Sequence, residues 1–226
     1  MKILVVSATY MEIAPLVAKM KFTGEAGPRL RAYEAGRHHV DVLISGVGMT
    51  ATAYWLGHVF AKEKYEAAFN FGTCGSFDPS FAPGTVVQVI SDRISEAGAE
   101  DGDKFLSVSE LNLLGENEFP YKWGQLVNLH PMQNPSLSSL QQVNGITVNT
   151  VHGAEHSIHK VKERYKPQTE SMEGAAFAYA CLVENIPYAQ VRAVSNIVER
   201  RNRDAWKMAE AIRNLNEKAA EILDNV

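Results

Sequence analysis

Short apolar runs rich in β-branched residues alternate along the chain with stretches of helical spacing, and turn residues punctuate the joins. Ile3 to Ser7 predicts a first buried strand and Met11 to Met20 a first amphipathic helix. Arg29 to Ala35 and His39 to Ser45 predict paired strands around a tight Gly36-Arg37 turn. Ala53, Leu56, Val59 and Phe60 share one face of a helix over Thr50 to Lys62. Strands follow at Ala67 to Phe71 and Thr85 to Ile94. The pattern then breaks: the 98–135 stretch is loop-like, with Gly102, Gly115, Pro120, Gly124 and Pro131. Its interleaved Phe105, Phe119, Tyr121 and Trp123 argue against disorder, so a lid or an oligomer contact is expected there. Beyond it the spacing predicts a strand over Ile146 to Val151, helices from about Ala154 and Glu173, a strand over Tyr188 to Val194 and a final helix from Asp204. Alternating strands and helices with no internal repeat predict one α/β domain over 1–226.

Composition narrows the function classes. The 226 residues are 46% hydrophobic and 21% charged, enough to bury a substantial core. The net charge of -4, with acids and bases interspersed, leaves no basic stripe for nucleic acid. Cys74 and Cys181 form no spaced pair, which argues against a disulfide framework and for a reducing cytoplasm. The first apolar run ends at Ser7, too short for a secretory signal, and no later run is long enough to span a bilayer.

Polar residues at the carboxyl ends of strands are the default site candidates in such sheets. Glu12 follows the first strand, where a carboxylate also suits a helix start. Ser45-Gly46-Val47-Gly48-Met49-Thr50-Ala51 looks like a dinucleotide fingerprint, but it follows a later strand and lacks the acid at the next strand end. Close helix–sheet packing explains its glycines better. Asn70-Phe71-Gly72-Thr73-Cys74-Gly75-Ser76 reads equally as a backbone nest for an anion or water and as a plain glycine turn. Glu170-Ser171-Met172-Glu173-Gly174 and Arg192-Ala193-Val194-Ser195-Asn196 put polar groups where burial is costly without partners, whether substrate or a structural network. His152, His156 and His159 have helical metal-ligand spacing, but no nearby acid or Cys completes a set, so no metal is expected.

Taken in this order, the segments resemble the nucleoside phosphorylase/nucleosidase superfamily, nearest to its methylthioadenosine/S-adenosylhomocysteine nucleosidases and futalosine hydrolases. The likeness covers nearly the whole chain. The Gly98 to Asp103 stretch and the tail Arg200 to Trp206 look more like futalosine hydrolase than the adenine-specific branch. The resemblance implies a three-layer sandwich, with a central twisted mixed sheet flanked by helices. It also implies an N-glycosyl hydrolase without a cofactor, acting on a small nucleoside and assembling as a homodimer or larger homo-oligomer. Glu12 matches the water-activating carboxylate, while Thr73 and Arg192 match residues that hold that water. Glu173 matches the carboxylate that grips the ribose hydroxyls, and Met172 the residue packed beneath the sugar. Val47, Cys74, Gly75, Val151 and Ser195 are expected around the purine, with Asn196 on its hydrogen-bonding edge.

Two departures sharpen the expectation. Phosphorylases of the superfamily carry a phosphate-binding Arg where this chain has Asn70, an amide that cannot supply the charge-assisted contact. Adenine-specific nucleosidases carry Asp where this chain has Asn196. An amide donates to O6 and accepts from N7–H of a 6-oxopurine. The expectation is therefore futalosine hydrolysis with release of hypoxanthine, as in menaquinone biosynthesis. The alternatives are an adenine nucleosidase acting on methylthioadenosine/S-adenosylhomocysteine or aminodeoxyfutalosine, a purine nucleoside phosphorylase, and a non-catalytic nucleoside-binding protein.

Overall fold

The computed structural model describes residues 1–226. The first apolar run forms β1 (Lys2–Ser7), and α1 (Tyr10–Val17) follows it. Three antiparallel strands come next: β2 (Lys21–Gly27), β3 (Leu30–Ala35) and β4 (His38–Ile44). The β3–β4 turn places Gly36 at φ +57°, a left-handed conformation that costs glycine little. After α2 (Met49–Phe60) come β5 (Ala67–Ser76) and β6 (Val86–Asp92). The 98–135 stretch is more ordered than its composition suggests. It holds a separate hairpin, β7 (Gly98–Asp101) and β8 (Lys104–Ser107), and the short β9 (Leu126–Val127), which pairs with β6. The chain continues through α3 (Pro135–Ser138), β10 (Gln141–Thr147), α4 (Glu155–Tyr165), β11 (Thr169–Ser171), α5 (Gly174–Val183) and β12 (Tyr188–Ile197). A 3-10 turn over Arg203–Ala205 then leads to α6 (Met208–Asp224).

Several boundaries differ from the sequence expectation. The strand expected over Ile146 to Val151 ends at Thr147 and begins at Gln141, leaving Val151 in a loop. Gln141, Gln142 and Asn144 face solvent and hide the period of two. The final helix starts at Met208 rather than Asp204 because the 3-10 turn intervenes. β5 and β12 run on through their glycine and polar ends, since those residues keep pairing with each other up to Ser76 and Ile197.

The main sheet has the order β11-β10-β6-β12-β5-β1-β4-β3-β2, with parallel and antiparallel pairs mixed. Successive residues of β1 point to opposite faces, as a strand requires. Ile3 and Val5 join a core with α1 and α6, while Leu4 and Val6 join a second core with α2 and α5. Helices thus cover both faces, giving the three-layer sandwich. β11 also pairs antiparallel with the end of β5, matching Glu170 to Gly75 and Thr169 to Ser76. The path β11-β10-β6-β12-β5 therefore closes on itself and gathers the carboxyl ends of β5 and β12 against β11. No helix is long and apolar enough to cross a membrane.

Candidate active site

Glu12 sits in the first turn of α1, where its side chain can fold back over the helix start as in a reciprocal cap. Its Oε2 accepts hydrogen bonds from the Thr9 N–H at 3.1 Å and the Thr9 hydroxyl at 2.9 Å. Its Oε1 accepts from the Thr73 N–H and hydroxyl, both at 3.0 Å, at the end of β5. One oxygen serves the helix and the other meets the strand, so the capping role and the site role belong to one carboxylate. Asn216 of α6 grips the same helix from behind. Its amide donates to the Glu12 carbonyl at 2.8 Å, and its Oδ1 accepts from the Leu16 N–H at 2.9 Å.

Arg192, on β12, is only 1% exposed, and a buried charge needs partners. Its Nε donates to Gln190 Oε1 at 3.2 Å, one terminal nitrogen donates to Asn70 Oδ1, and Glu173 Oε2 lies 3.9 Å from the other. Asn70 also donates to the Val6 carbonyl at 3.1 Å, so the amide in the phosphate-Arg position is committed to Arg192 and β1. A Cβ on Gly72 would lie 2.2 Å from Arg192 Nη1 and 3.5 Å from Glu12 Oε1. Guanidinium and carboxylate therefore converge over bare backbone, and only glycine leaves them room.

Glu173 precedes α5, and its Oε1 accepts from the Gly48 N–H at 2.9 Å, tying the Gly46-Val47-Gly48 turn to the site. Burial raises its pKa, with Arg192 acting against the rise. Met172, beside it, is half-buried. Beneath these residues runs a buried polar chain. Gln190 donates to Asp92 Oδ2 at 3.0 Å, the Thr147 hydroxyl donates to Asp92 Oδ1 at 2.9 Å, and the Ala175 N–H donates to Thr147 Oγ1 at 2.7 Å. Burial pushes the Asp92 carboxyl up to about 6. A Cβ on Gly174 would stand 2.1 Å from Gln190 Oε1 and 2.3 Å from Asp92 Oδ2, so glycine lets α5 approach this chain.

A cavity of about 290 Å³ opens beside Asn196, lined also by Gly75, Val151, His152, Glu170 and Trp206. Asn196 Oδ1 accepts from the Ser195 hydroxyl at 2.8 Å, and its NH2 donates to the Ile197 carbonyl at 3.0 Å. One hydrogen and one lone pair of the amide stay open. A larger groove of about 900 Å³ follows α4, but exposed charged side chains line it and none of the expected site residues does.

The structure thus brings Glu12, Thr73, Arg192 and Glu173 together, and sets Asn196, Gly75 and Val151 on the neighbouring cavity. Three residues expected along the base do not line that cavity. Val47 is 58% exposed at the tip of its turn. The Cys74 side chain packs with Val87 and Val194 because strand alternation turns it away from its neighbours' face. Ser195 is buried, donating to the Cys74 carbonyl at 3.1 Å, and steadies Asn196 from below. The sequence offers His152 as a metal-ligand candidate and Glu170 as one of the polar groups in need of a partner, and in the structure His152 Nδ1 lies 2.7 Å from Glu170 Oε2. His159 instead pairs on the surface with Glu163. The motif around Glu170 was visible in the sequence. Asn216, far away in the chain, left no local signal.

The profile of the Phosphorylase superfamily matches residues 2–226. Futalosine hydrolase of Streptomyces coelicolor is 28% identical over 184 residues, covering 76% of this chain and 73% of that protein. A 5′-methylthioadenosine/S-adenosylhomocysteine nucleosidase of Colwellia psychrerythraea is 26% identical over 211 residues, covering 87% of this chain and 84% of that one. The fold is similar to that of the Neisseria meningitidis 5′-methylthioadenosine/S-adenosylhomocysteine nucleosidase in complex with methylthio-immucillin-A. That match has a TM-score of 0.81 at 17% identity, over 100% of this chain and 99% of the other. With a match spanning residues 2–226, the chain belongs to the Phosphorylase superfamily.

Proposed function

We propose that the protein hydrolyses futalosine with water, releasing hypoxanthine and dehypoxanthine futalosine, a step of menaquinone biosynthesis by the futalosine route. The observation that carries this reading is the Asn196 amide on the base cavity, with one donor and one acceptor unused. These suit O6 and the N7–H of hypoxanthine. As the glycosidic bond breaks, the bonding pair leaves with the base, which takes a proton at N7 from solvent, and Glu12 later returns one to solvent. Water adds to the sugar's anomeric carbon, and its proton passes to Glu12. Water rather than phosphate is supported by Asn70, which is already bound to Arg192 and the Val6 carbonyl. The likeness to futalosine hydrolases supports the substrate, and that to adenine-releasing nucleosidases keeps adenine nucleosides as the second reading. The buried, unpaired Cys74 and Cys181 suit a cytoplasmic setting.

A chromatographic assay in phosphate-free buffer, offering futalosine, inosine and methylthioadenosine separately, tests the reading. Hypoxanthine release from futalosine, indifferent to added phosphate, is expected. Adenine release would move the enzyme to the adenine branch, and strict phosphate dependence would make it a phosphorylase. Ligand binding without turnover would make it a binding protein. Glu12→Gln should lower turnover by about 10²–10⁴-fold while leaving nucleoside binding nearly intact, and retained turnover would remove Glu12 from the chemistry.

The proposal extends to assembly. Between α2 and α5 an apolar depression of about 610 Å³ is lined by Met49, Ala53, Phe60, Tyr121, Tyr179 and Val183, with Tyr54 exposed nearby on α2. A second copy of the chain would cover this face. Light scattering should give a dimer mass or larger, and a monomer mass at assay concentration would refute it.

A further inference from the structure

The candidate site runs along one edge of the sheet, past the carboxyl ends of β12, β5, β1 and β4, which neighbour one another in that order. The Asn196 cavity lies at the β12 end, and Glu12 meets Thr73 where α1 follows β1 beside β5. Next along the edge is the Gly46-Val47-Gly48 turn after β4, whose Gly48 N–H holds Glu173. A nucleoside with its base by Asn196 and its anomeric carbon by Glu12 therefore directs the far side of its sugar toward β4 and β3. The 5′ substituent leaves the furanose ring from C4′, across the ring oxygen from the base.

Arg29 stands at that end of the edge. It precedes β3, and its carbonyl accepts the Ile44 N–H at 3.0 Å, which sets it beside the carboxyl end of β4. A Cβ on Gly46 would lie 3.1 Å from Arg29 Nη1, so the exposed guanidinium reaches the turn itself. It also lies over the Trp55 ring, 5.7 Å from the centroid. Glu25, at the end of β2, pairs with Arg31, and no carboxylate or other acceptor holds the Arg29 guanidinium. The backbone of Arg29 is left-handed, at φ +60°, a conformation that glycine or asparagine adopts at less cost. The turn alone would favour those residues, so arginine here points to a role for the side chain.

We propose that Arg29 is a specificity-determining residue that binds a carboxylate at the end of the nucleoside's 5′ substituent. This rests on the futalosine reading above, since futalosine ends its 5′ arm in an aryl carboxylate, while inosine and methylthioadenosine carry no charge there. Two strand spacings, roughly 10 Å, separate the end of β5 from that of β4, a distance that an aryl-ketone arm spans from the sugar. Contact with Trp55 occupies one face of the guanidinium and leaves its N–H edge free. That planar edge can donate two parallel hydrogen bonds to one carboxylate. Val47, exposed on the same turn, offers the aryl ring apolar surface.

The test compares futalosine with its methyl ester, which keeps the base, sugar and arm but loses the charge, in the wild type and in Arg29→Gln. The wild type should prefer the acid, and the ratio of kcat/KM for acid over ester should fall at least about tenfold in the variant, mainly through KM. The same ratio in both proteins, with futalosine hydrolysed, overturns the role of Arg29 and leaves the futalosine reading standing. A wild type that hydrolyses neither acid nor ester overturns both. Arg29→Gly separates side chain from backbone, because glycine adopts φ +60° without strain. It should lose the same preference, and an Arg29→Gly enzyme that keeps it overturns the proposal. The wild type supplies an independent measure: added NaCl should raise KM for the acid and not for the ester, since salt screens an exposed charge pair. Equal responses to salt also overturn the proposal.

Discussion

Each oxygen of the Glu12 carboxylate is shared between one fixed donor, a backbone N–H, and one movable donor, a threonine hydroxyl. The four donors match the four acceptor sites of a carboxylate. For Glu12 to take a proton from water, a hydroxyl must turn aside. Thr73 can do so while its N–H keeps the carboxylate in place, and its hydroxyl can then hold the water itself. In the proposed reaction the Asn196 amide selects, at the same scale, which base leaves. Asn196→Asp should shift kcat/KM toward adenine nucleosides, since a protonated Asp donates to N7 and accepts from the adenine amino group. Paired assays on futalosine and methylthioadenosine check this, and an unchanged preference would refute the role of the amide. These residues were legible in the sequence because each is a polar group at or shortly after the end of an apolar strand. The side on which Val47, Cys74 and Ser195 lie was not legible. A one-residue step reverses a strand side chain, and a glycine turn leaves its neighbour free to point outward.

Among the elements, α1 matters beyond its length. It carries Glu12 at one end and Pro15 within, and Asn216 spans the Glu12 carbonyl and the Leu16 N–H from a separate helix. Removing that amide leaves buried backbone groups without partners, at a cost of about 1–3 kcal/mol. Asn216→Ala should lower the urea midpoint and also reduce kcat more than it raises KM, because α1 loses its hold on Glu12. Stability loss with unchanged kcat would confine Asn216 to a structural role. Elements with continuous buried runs, such as β1, β5 and β12, were legible from the chain. Five strands left no pattern to read, with β7, β8 and β9 lying in the stretch expected to be loop-like. β2 is an exposed edge strand without alternation, and β11 is only three residues long. β11 exists because β5 and β10 are there to pair with it.

In the whole molecule, the buried chain from Asn70 through Arg192, Gln190, Asp92 and Thr147 to the start of α5 links both halves of the site. Burial raises the Asp92 pKa from 3.8 to about 6, so the folded protein binds this proton more tightly than the unfolded chain. Stability should therefore fall as pH rises from about 4 to about 6 and level off above, and Glu173, also raised by burial, adds in the same direction. Urea unfolding from pH 4 to 8 should show this slope, and Asp92→Asn should flatten it. A slope identical in wild type and variant would mean that Asp92 does not carry the linkage. The apolar periodicities by themselves determined the α/β class and the polar strand ends that are the site candidates, because burial imposes those patterns locally. Only the tertiary structure decided that β11 closes onto β5 and that Asn216 braces α1. Those contacts join residues up to 204 positions apart, and their hydrogen bonds leave no period in the chain.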